Sequence, residues 1–116
     1  MSFTYKLKKH QTITILELIG KLLSNADIEG LKKEIKSIDD FKIIVDFASL
    51  THINSSGIAF LISILTKSRT NNGDVVLINA TKEINRIIQI SRLDQIFSIF
   101  ESLDEGVNYY NKNHKK

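Results

Sequence analysis

Three runs of apolar, largely β-branched residues, at 12–19, 41–47 and 75–78, are each followed by a segment whose apolar residues recur every three or four positions. Short apolar runs alternating with amphipathic helices leave few architectures open, because parallel neighbouring strands must be joined by right-handed helical crossovers. Ahead of the first run, Phe3, Tyr5 and Leu7 alternate with Thr4, Lys6 and Lys8, the period of a strand covered on one face. Residues 9–11 are short enough to turn that strand back as an antiparallel hairpin, and Gly20 is expected to end its partner. Helices are expected over 25–37 (Ile28, Leu31, Ile35, Ile38), from Gly57 onward (Ile58, Leu61, Ile62, Leu65), and after Thr81 (Ile84, Ile87, Ile88, Ser91). A short strand at 96–100 follows, and then Ser102 and Glu105, spaced as a capping box, predict a last helix through about Tyr110 with fraying from about residue 111. The expected fold class is α/β: a mixed central sheet of roughly four to five strands, antiparallel at the N-terminal hairpin and parallel elsewhere, with about four helices. At 116 residues and 42% hydrophobic content, residues 1–116 are expected to form a single domain around one core.

Composition removes several function classes. With no cysteine there is no disulfide frame, thiolate nucleophile or cysteine-based zinc site. His10, His52 and His114 are far apart and none has a second ligand at metal spacing, so no metal is expected. Gly20, Gly30, Gly57, Gly73 and Gly106 are too dispersed for a phosphate-cradling loop, so no nucleotide cofactor is expected either. The net charge of +3 resides in Lys112, Lys115 and Lys116. Removing those three from the 16 Lys and Arg leaves 13, equal to the 13 Asp and Glu. Direct nucleic-acid binding is therefore not expected, and the cluster Lys6, Lys8, Lys9 and His10 reads as a solvated sheet edge. No apolar run approaches the roughly 18 residues of a membrane span, and the N-terminus lacks the apolar stretch of a leader, so a cytoplasmic location without membrane insertion is expected.

What remains is the junction Ile53-Asn54-Ser55-Ser56-Gly57-Ile58, between the run at 41–47 and the next helix. The first backbone N–H groups of a helix lack internal partners and carry the positive end of its dipole. Adjacent hydroxyls at that point can hold a phosphoryl group. Asn and Ser are also the preferred helix caps, and a cap requires no function. A hydrolase built from Ser55, His52 and Asp46 is a poor fit, since a nucleophile elbow needs glycine on both sides of the serine, where Ile53 stands at the first of the two positions, and a distant histidine delivered by the fold. No catalytic residue is assigned, and Asp46 reads as a carboxylate that ties down N–H groups of the segment after it.

The run Ile43-Ile44-Val45-Asp46-Phe47, Leu50, the junction itself and Leu61 resemble the signature of the STAS domain, specifically the bacterial anti-sigma factor antagonists. Leu18-Ile19-Gly20-Lys21-Leu22 resembles that family's second strand, Asn72-Gly73-Asp74 through Ile78 its fourth, and residues 93–106 its C-terminal stretch. Such a resemblance implies a binding protein, not an enzyme. An anti-sigma factor with serine kinase activity, which itself binds ATP, phosphorylates the serine after the acidic or amide residue, here Ser55, with Ser56 as the alternative. The unmodified protein binds that kinase and frees the sigma factor; the phosphorylated protein releases it and is reset by a serine phosphatase. Asn54 stands where the family commonly has Asp, keeping the cap and losing a charge. The alternative within the family is a scaffold or accessory subunit, in a signalling assembly or beside a transporter ATPase, that is never phosphorylated.

Phe60 and Ile64 form an i, i+4 pair on the side of the helix away from Ile58, Leu61, Ile62 and Leu65. The expected partner-binding set is accordingly Asn54, Ser55, Ser56, Gly57, Phe60 and Ile64, the last two as a docking face unless a flanking helix covers them.

Overall fold

The computed structural model describes residues 3–113. Strands β1 (Phe3–His10) and β2 (Ile13–Leu22) form the antiparallel hairpin. Then come α1 (Asn25–Lys36), β3 (Lys42–Ile53), α2 (Ser55–Thr70), β4 (Asp74–Ile78), α3 (Lys82–Ile90), a 3-10 turn at Leu93–Gln95, β5 (Ser98–Phe100) and α4 (Leu103–Asn113). The sheet runs β1-β2-β3-β4-β5, with β2 through β5 parallel. Each parallel step is bridged by a helix, the connection that parallel strands require.

The two faces of the sheet are covered unequally. Helices α1, α2 and α3 bury Ile28, Leu31, Ile35, Phe60, Leu61, Ile64, Leu65, Ile84 and Ile88 against the alternate residues Leu16, Leu18, Ile43, Val45, Val75 and Leu77. On the other face a smaller cluster of Ile13, Ile15, Ile44, Val76 and Ile78 is covered by α4 through Tyr110. Gly106 lets α4 approach, since a Cβ there would lie 3.2 Å from both Ile44 and Ile78. The Tyr110 hydroxyl lies 2.7 Å from the carbonyls of both Ile43 and Asp74. Edge strand β1 half-buries Phe3, Tyr5 and Leu7 and exposes Thr4, Lys6 and Lys8. Two members of the basic cluster there are paired, Lys8 with Glu17 at 3.5 Å and Lys9 with Asp40.

Several boundaries depart from the sequence reading. The hairpin turns at Gln11-Thr12, where Gln11 takes φ 58. Gly20 does not end β2: at φ 95 it sits at a register irregularity, and the strand continues to Leu22. Strand β3 likewise continues past Phe47 to Ile53, because two bulges let Glu17 pair with Asp46, Ile19 with Ser49, and Lys21 with His52. At the first bulge the Asp46 carboxylate accepts the Ala48 N–H at 3.0 Å, the role expected of it, and the Asn79 side-chain amide at 3.2 Å. The bent extension carries the chain to the start of α2. Ser102 caps α4 as expected, accepting from the Glu105 N–H at 3.2 Å, while the Glu105 carboxylate reaches one residue further back than a capping box does, to the Glu101 N–H. Helix α4 is longer than expected, since residues 111–113 are helical; the rest of the expected fray, His114 to Lys116, lies outside the described residues.

Candidate functional site

Asn54 is the hinge between β3 and α2. In extended conformation (φ −110, ψ −173) it caps the helix, its Oδ1 accepting the Gly57 N–H at 3.1 Å and its carbonyl accepting the Ile58 N–H at 3.0 Å. Its Nδ2 donates to the Leu23 carbonyl at 2.9 Å, and its backbone N–H to that of Leu22 at 3.4 Å. One side chain therefore uses both ends of its amide, tying the helix start to the loop between β2 and α1. An aspartate could serve the helix but could not donate to Leu23.

Gly57 is buried in this turn because nothing larger fits. A Cβ would come within 2.5 Å of Ile53 Cγ1 and 3.2 Å of Leu22 Cδ2. Ser55, one residue after the cap, is exposed, and its hydroxyl makes no hydrogen bond among the described residues. The backbone N–H groups of Ser55 and Ser56 have no acceptor there either, and the first turn of α2 carries no acidic residue. Ser56 is half-buried and turns toward α1, lining a groove of about 360 Å³ with Asn25, Ile28, Ala59 and Phe60. The structure thus gives the two serines different surroundings, one in open solvent and one against a neighbouring helix.

Phe60 and Ile64 correct the sequence reading. They are only 2% and 3% exposed, because α1 lies across that side of α2 and packs Ile35 beside them. They form no free docking face. Ile62, assigned to the core stripe, is instead 40% exposed, while Leu61 and Leu65 are buried and Ile58 half-buried. Ser55, Ala59, Ile62 and Thr66, spaced four, three and four apart, share one exposed stripe that begins at Ser55. Leu23, 46% exposed, lies in the loop whose carbonyl accepts from the Asn54 amide. Counting helical spacing from Ser55 would have found Ile62; nothing in the sequence marks Leu23, whose place depends on the long-range bond to Asn54.

The hydrolase triad does not assemble. His52 Nδ1 lies 2.9 Å from Thr51 Oγ1, Asp46 is occupied by Ala48 and Asn79, and neither bonds Ser55. Among the described residues no His, Cys, Asp and Glu group is arranged to hold a metal, and no helix is long and apolar enough to cross a membrane.

The model of the STAS domain matches residues 4–106. The chain belongs to the STAS domain family. Among solved structures it is similar to an anti-sigma factor antagonist from Mycobacterium paratuberculosis, at 18% identity and TM-score 0.81 over 93% of each chain. It is also similar to the anti-sigma factor antagonist SpoIIAA in its unphosphorylated form, at 17% identity and TM-score 0.79 over 94% of this chain and 97% of the other. The phosphorylated form of the Bacillus SpoIIAA matches at 18% identity and TM-score 0.73, over 92% of this chain and 99% of the other. At such identities these likenesses establish the fold: a five-stranded STAS sheet with one antiparallel pair, and four helices.

Proposed function

We propose that this STAS domain is an anti-sigma factor antagonist whose binding is switched at Ser55. Unmodified, it binds an anti-sigma factor with serine kinase activity and so frees a sigma factor. The kinase holds the ATP; the Ser55 hydroxyl loses its proton to a base on the kinase and attacks the γ-phosphorus, and ADP leaves. The phosphorylated protein dissociates, and a serine phosphatase hydrolyses the phosphate to restore it. This chain supplies an acceptor and a surface, no cofactor and no catalytic group, and the reading puts it in the cytoplasm with its sigma pathway.

The observation that carries the reading is the division of labour between Asn54 and Ser55. Because Asn54 provides the cap, the Ser55 hydroxyl is free of structural duty and open to solvent. Phosphate would bring about −1.5 to −2 charges to two unoccupied N–H groups at the positive end of α2, where they are tolerated without refolding. The existence of SpoIIAA structures in both phosphorylated and unphosphorylated forms, each sharing this fold, supports that tolerance. The same charge, on the helix face that also exposes Ile62, would have to be desolvated against a partner. Unfavourable burial of a few kcal/mol converts a tight complex into a dissociated one, since about 1.4 kcal/mol is tenfold. Asn54 and Ser56 flank Ser55 in that contact, while Gly57, buried beneath them, shapes the turn.

Affinity capture with wild type, Ser55→Ala and Ser55→Asp, with phosphosite mapping by mass spectrometry, tests this. Ser55→Ala should retain the kinase and resist phosphorylation, and Ser55→Asp should fold yet bind at least about tenfold more weakly. Equal binding by Ser55→Asp, or phosphate found on Ser56 alone, would move the switch elsewhere. Stable co-purification of an ATPase with no phosphate under any growth condition would favour the scaffold role.

A further inference from the structure

The furrow between α1 and α2 does not end at Ser56. Lys32 lines both the groove beside Ser56 and a second one, of about 200 Å³, toward the C-terminal ends of the two helices. In the second, Ile35, Phe60 and Ile64 form a buried apolar floor, and Lys32 and Lys36 from α1 face Lys67 from α2. We infer that this basic groove is a docking site for an acidic segment of a partner protein, whose carboxylates pair with the three lysines while its apolar side chains lie along the lysine stems.

Charge is the first support. The body without its last three lysines is neutral, so three ammonium groups around one furrow are a local concentration and not a sample of general basicity. Little on the protein offsets them. Lys32 has Glu29 at 3.8 Å, both side chains being half or more exposed, and Lys67 lies over the Phe41 ring at 5.9 Å. No carboxylate lies within ion-pairing distance of Lys36 or Lys67 among the described residues.

Basic residues near helix C-termini complement the dipole wherever they point. Lys33, in the same last turn of α1, meets that requirement without lining the groove. Lys32 and Lys36, four apart, share one face, and Lys67 meets them from the opposite helix. Dipole complementarity does not call for that convergence. A nucleic-acid strand fits less well: the groove's aromatic, Phe60, is 2% exposed and offers no face for base stacking, and no arginine lines it. Long lysine stems beside an apolar floor suit a peptide that alternates acidic and apolar side chains. The inference stands apart from Ser55, because the groove carries its charge with or without phosphate.

The test is titration of the isotope-labelled full chain with a short synthetic peptide alternating glutamate and leucine, read by amide chemical shifts. Shifts should concentrate at residues 32–36 and 63–67. Charge reversal by Lys36→Glu with Lys67→Glu should weaken binding at least about tenfold, as should replacing the peptide's glutamates by glutamine. An unchanged amide spectrum away from the groove shows that the variant folds; because both lysines are exposed, Lys36→Gln with Lys67→Gln gives a second and milder version. Shifts centred elsewhere, no shift at saturating peptide, or undiminished binding by the reversed variant would overturn the proposal. So would an oligothymidylate that perturbs the same amides more strongly than the peptide.

Discussion

The two ends of α2 are built on opposite plans. At the C-terminal end, the N–H groups of Asn71, Asn72 and Gly73 return to carbonyls of the last turn, and the Asn71 side chain donates to Lys67 O at 2.8 Å. Arg69 then reaches Asp74 at 3.2 Å and the Ile96 carbonyl at 2.9 Å, while Asp74 accepts from Tyr109 at 2.7 Å and its N–H donates to Phe41 O. That end is fastened to β4, α4, the residue preceding β3 and the loop before β5. At the N-terminal end the single residue Asn54 does the hydrogen-bonded fastening, through its side chain and its backbone N–H, and the N–H groups of Ser55 and Ser56 have no acceptor among the described residues. Water satisfies exposed N–H groups at little cost, so openness there takes little from stability. The contrast teaches that a helix secured at its far end can leave its near end free to change charge.

The comparison can be broken most violently at the fastened end. A Cβ at Gly73 would lie 2.0 Å from the Phe41 carbonyl oxygen, a backbone atom that cannot step aside, so Gly73→Ala should cost about 3 kcal/mol in urea unfolding. Tyr110→Phe removes a hydroxyl shared between the Ile43 and Asp74 carbonyls, and should cost about 1–2 kcal/mol at neutral pH. It should also alter the alkaline limb. Burial first, and then the Asp74 charge, hold the Tyr110 hydroxyl far above its ordinary value. Above about pH 10 the folded state keeps a proton that the unfolded chain loses, so wild-type stability falls as pH rises, and Phe should flatten that fall. Tyr109, also raised by burial and Asp74, leaves a residual slope.

At the open end, effects should be smaller. Asn54→Ala loses the cap and should cost about 1 kcal/mol, with faster amide exchange at Gly57. Asn54→Asp keeps that bond, gains a charge at the dipole and forfeits the donor to Leu23, so its net change should stay under about 1 kcal/mol, sharpening what the amide contributes. Smallest is Ser68→Ala within α2. The Ser68 hydroxyl is fully buried without a partner among the described residues, so its removal should raise stability slightly, by under about 1 kcal/mol. A loss there would reveal a bond the hydroxyl makes in solution.

Period and punctuation carried most of the fold. The apolar runs that became β2, β3 and β4, the Thr81 cap of α3 and the Ser102 cap of α4 are local signals, and the hydrogen bonds that realise the caps span three residues. What local signals could not carry were the bulges. Gly20 reads as a stop, and Ala48, Ser49, Thr51 and His52 read as loop, yet pairing between β2 and β3 draws all of them into strand. Within the site, Ser55 and Gly57 were readable from the junction. The burial of Phe60 and Ile64 depends on where α1 lies, and the tie between Leu23 and Asn54 spans 31 residues. Neither is written in spacing along α2.

The amide at Asn54 has one more consequence. It has no proton to take up or lose, so the hold on Gly57 and Leu23 is the same in mild acid as at neutrality. A carboxylate would bring its own charge to the helix start and surrender it in acid. With Asn54 in place, a phosphoryl group on Ser55 would supply the ionisation of that turn, with a second pKa of about 6. The charge of such a group would then follow the pH of the surrounding solution, falling from two toward one as that pH drops through about 6.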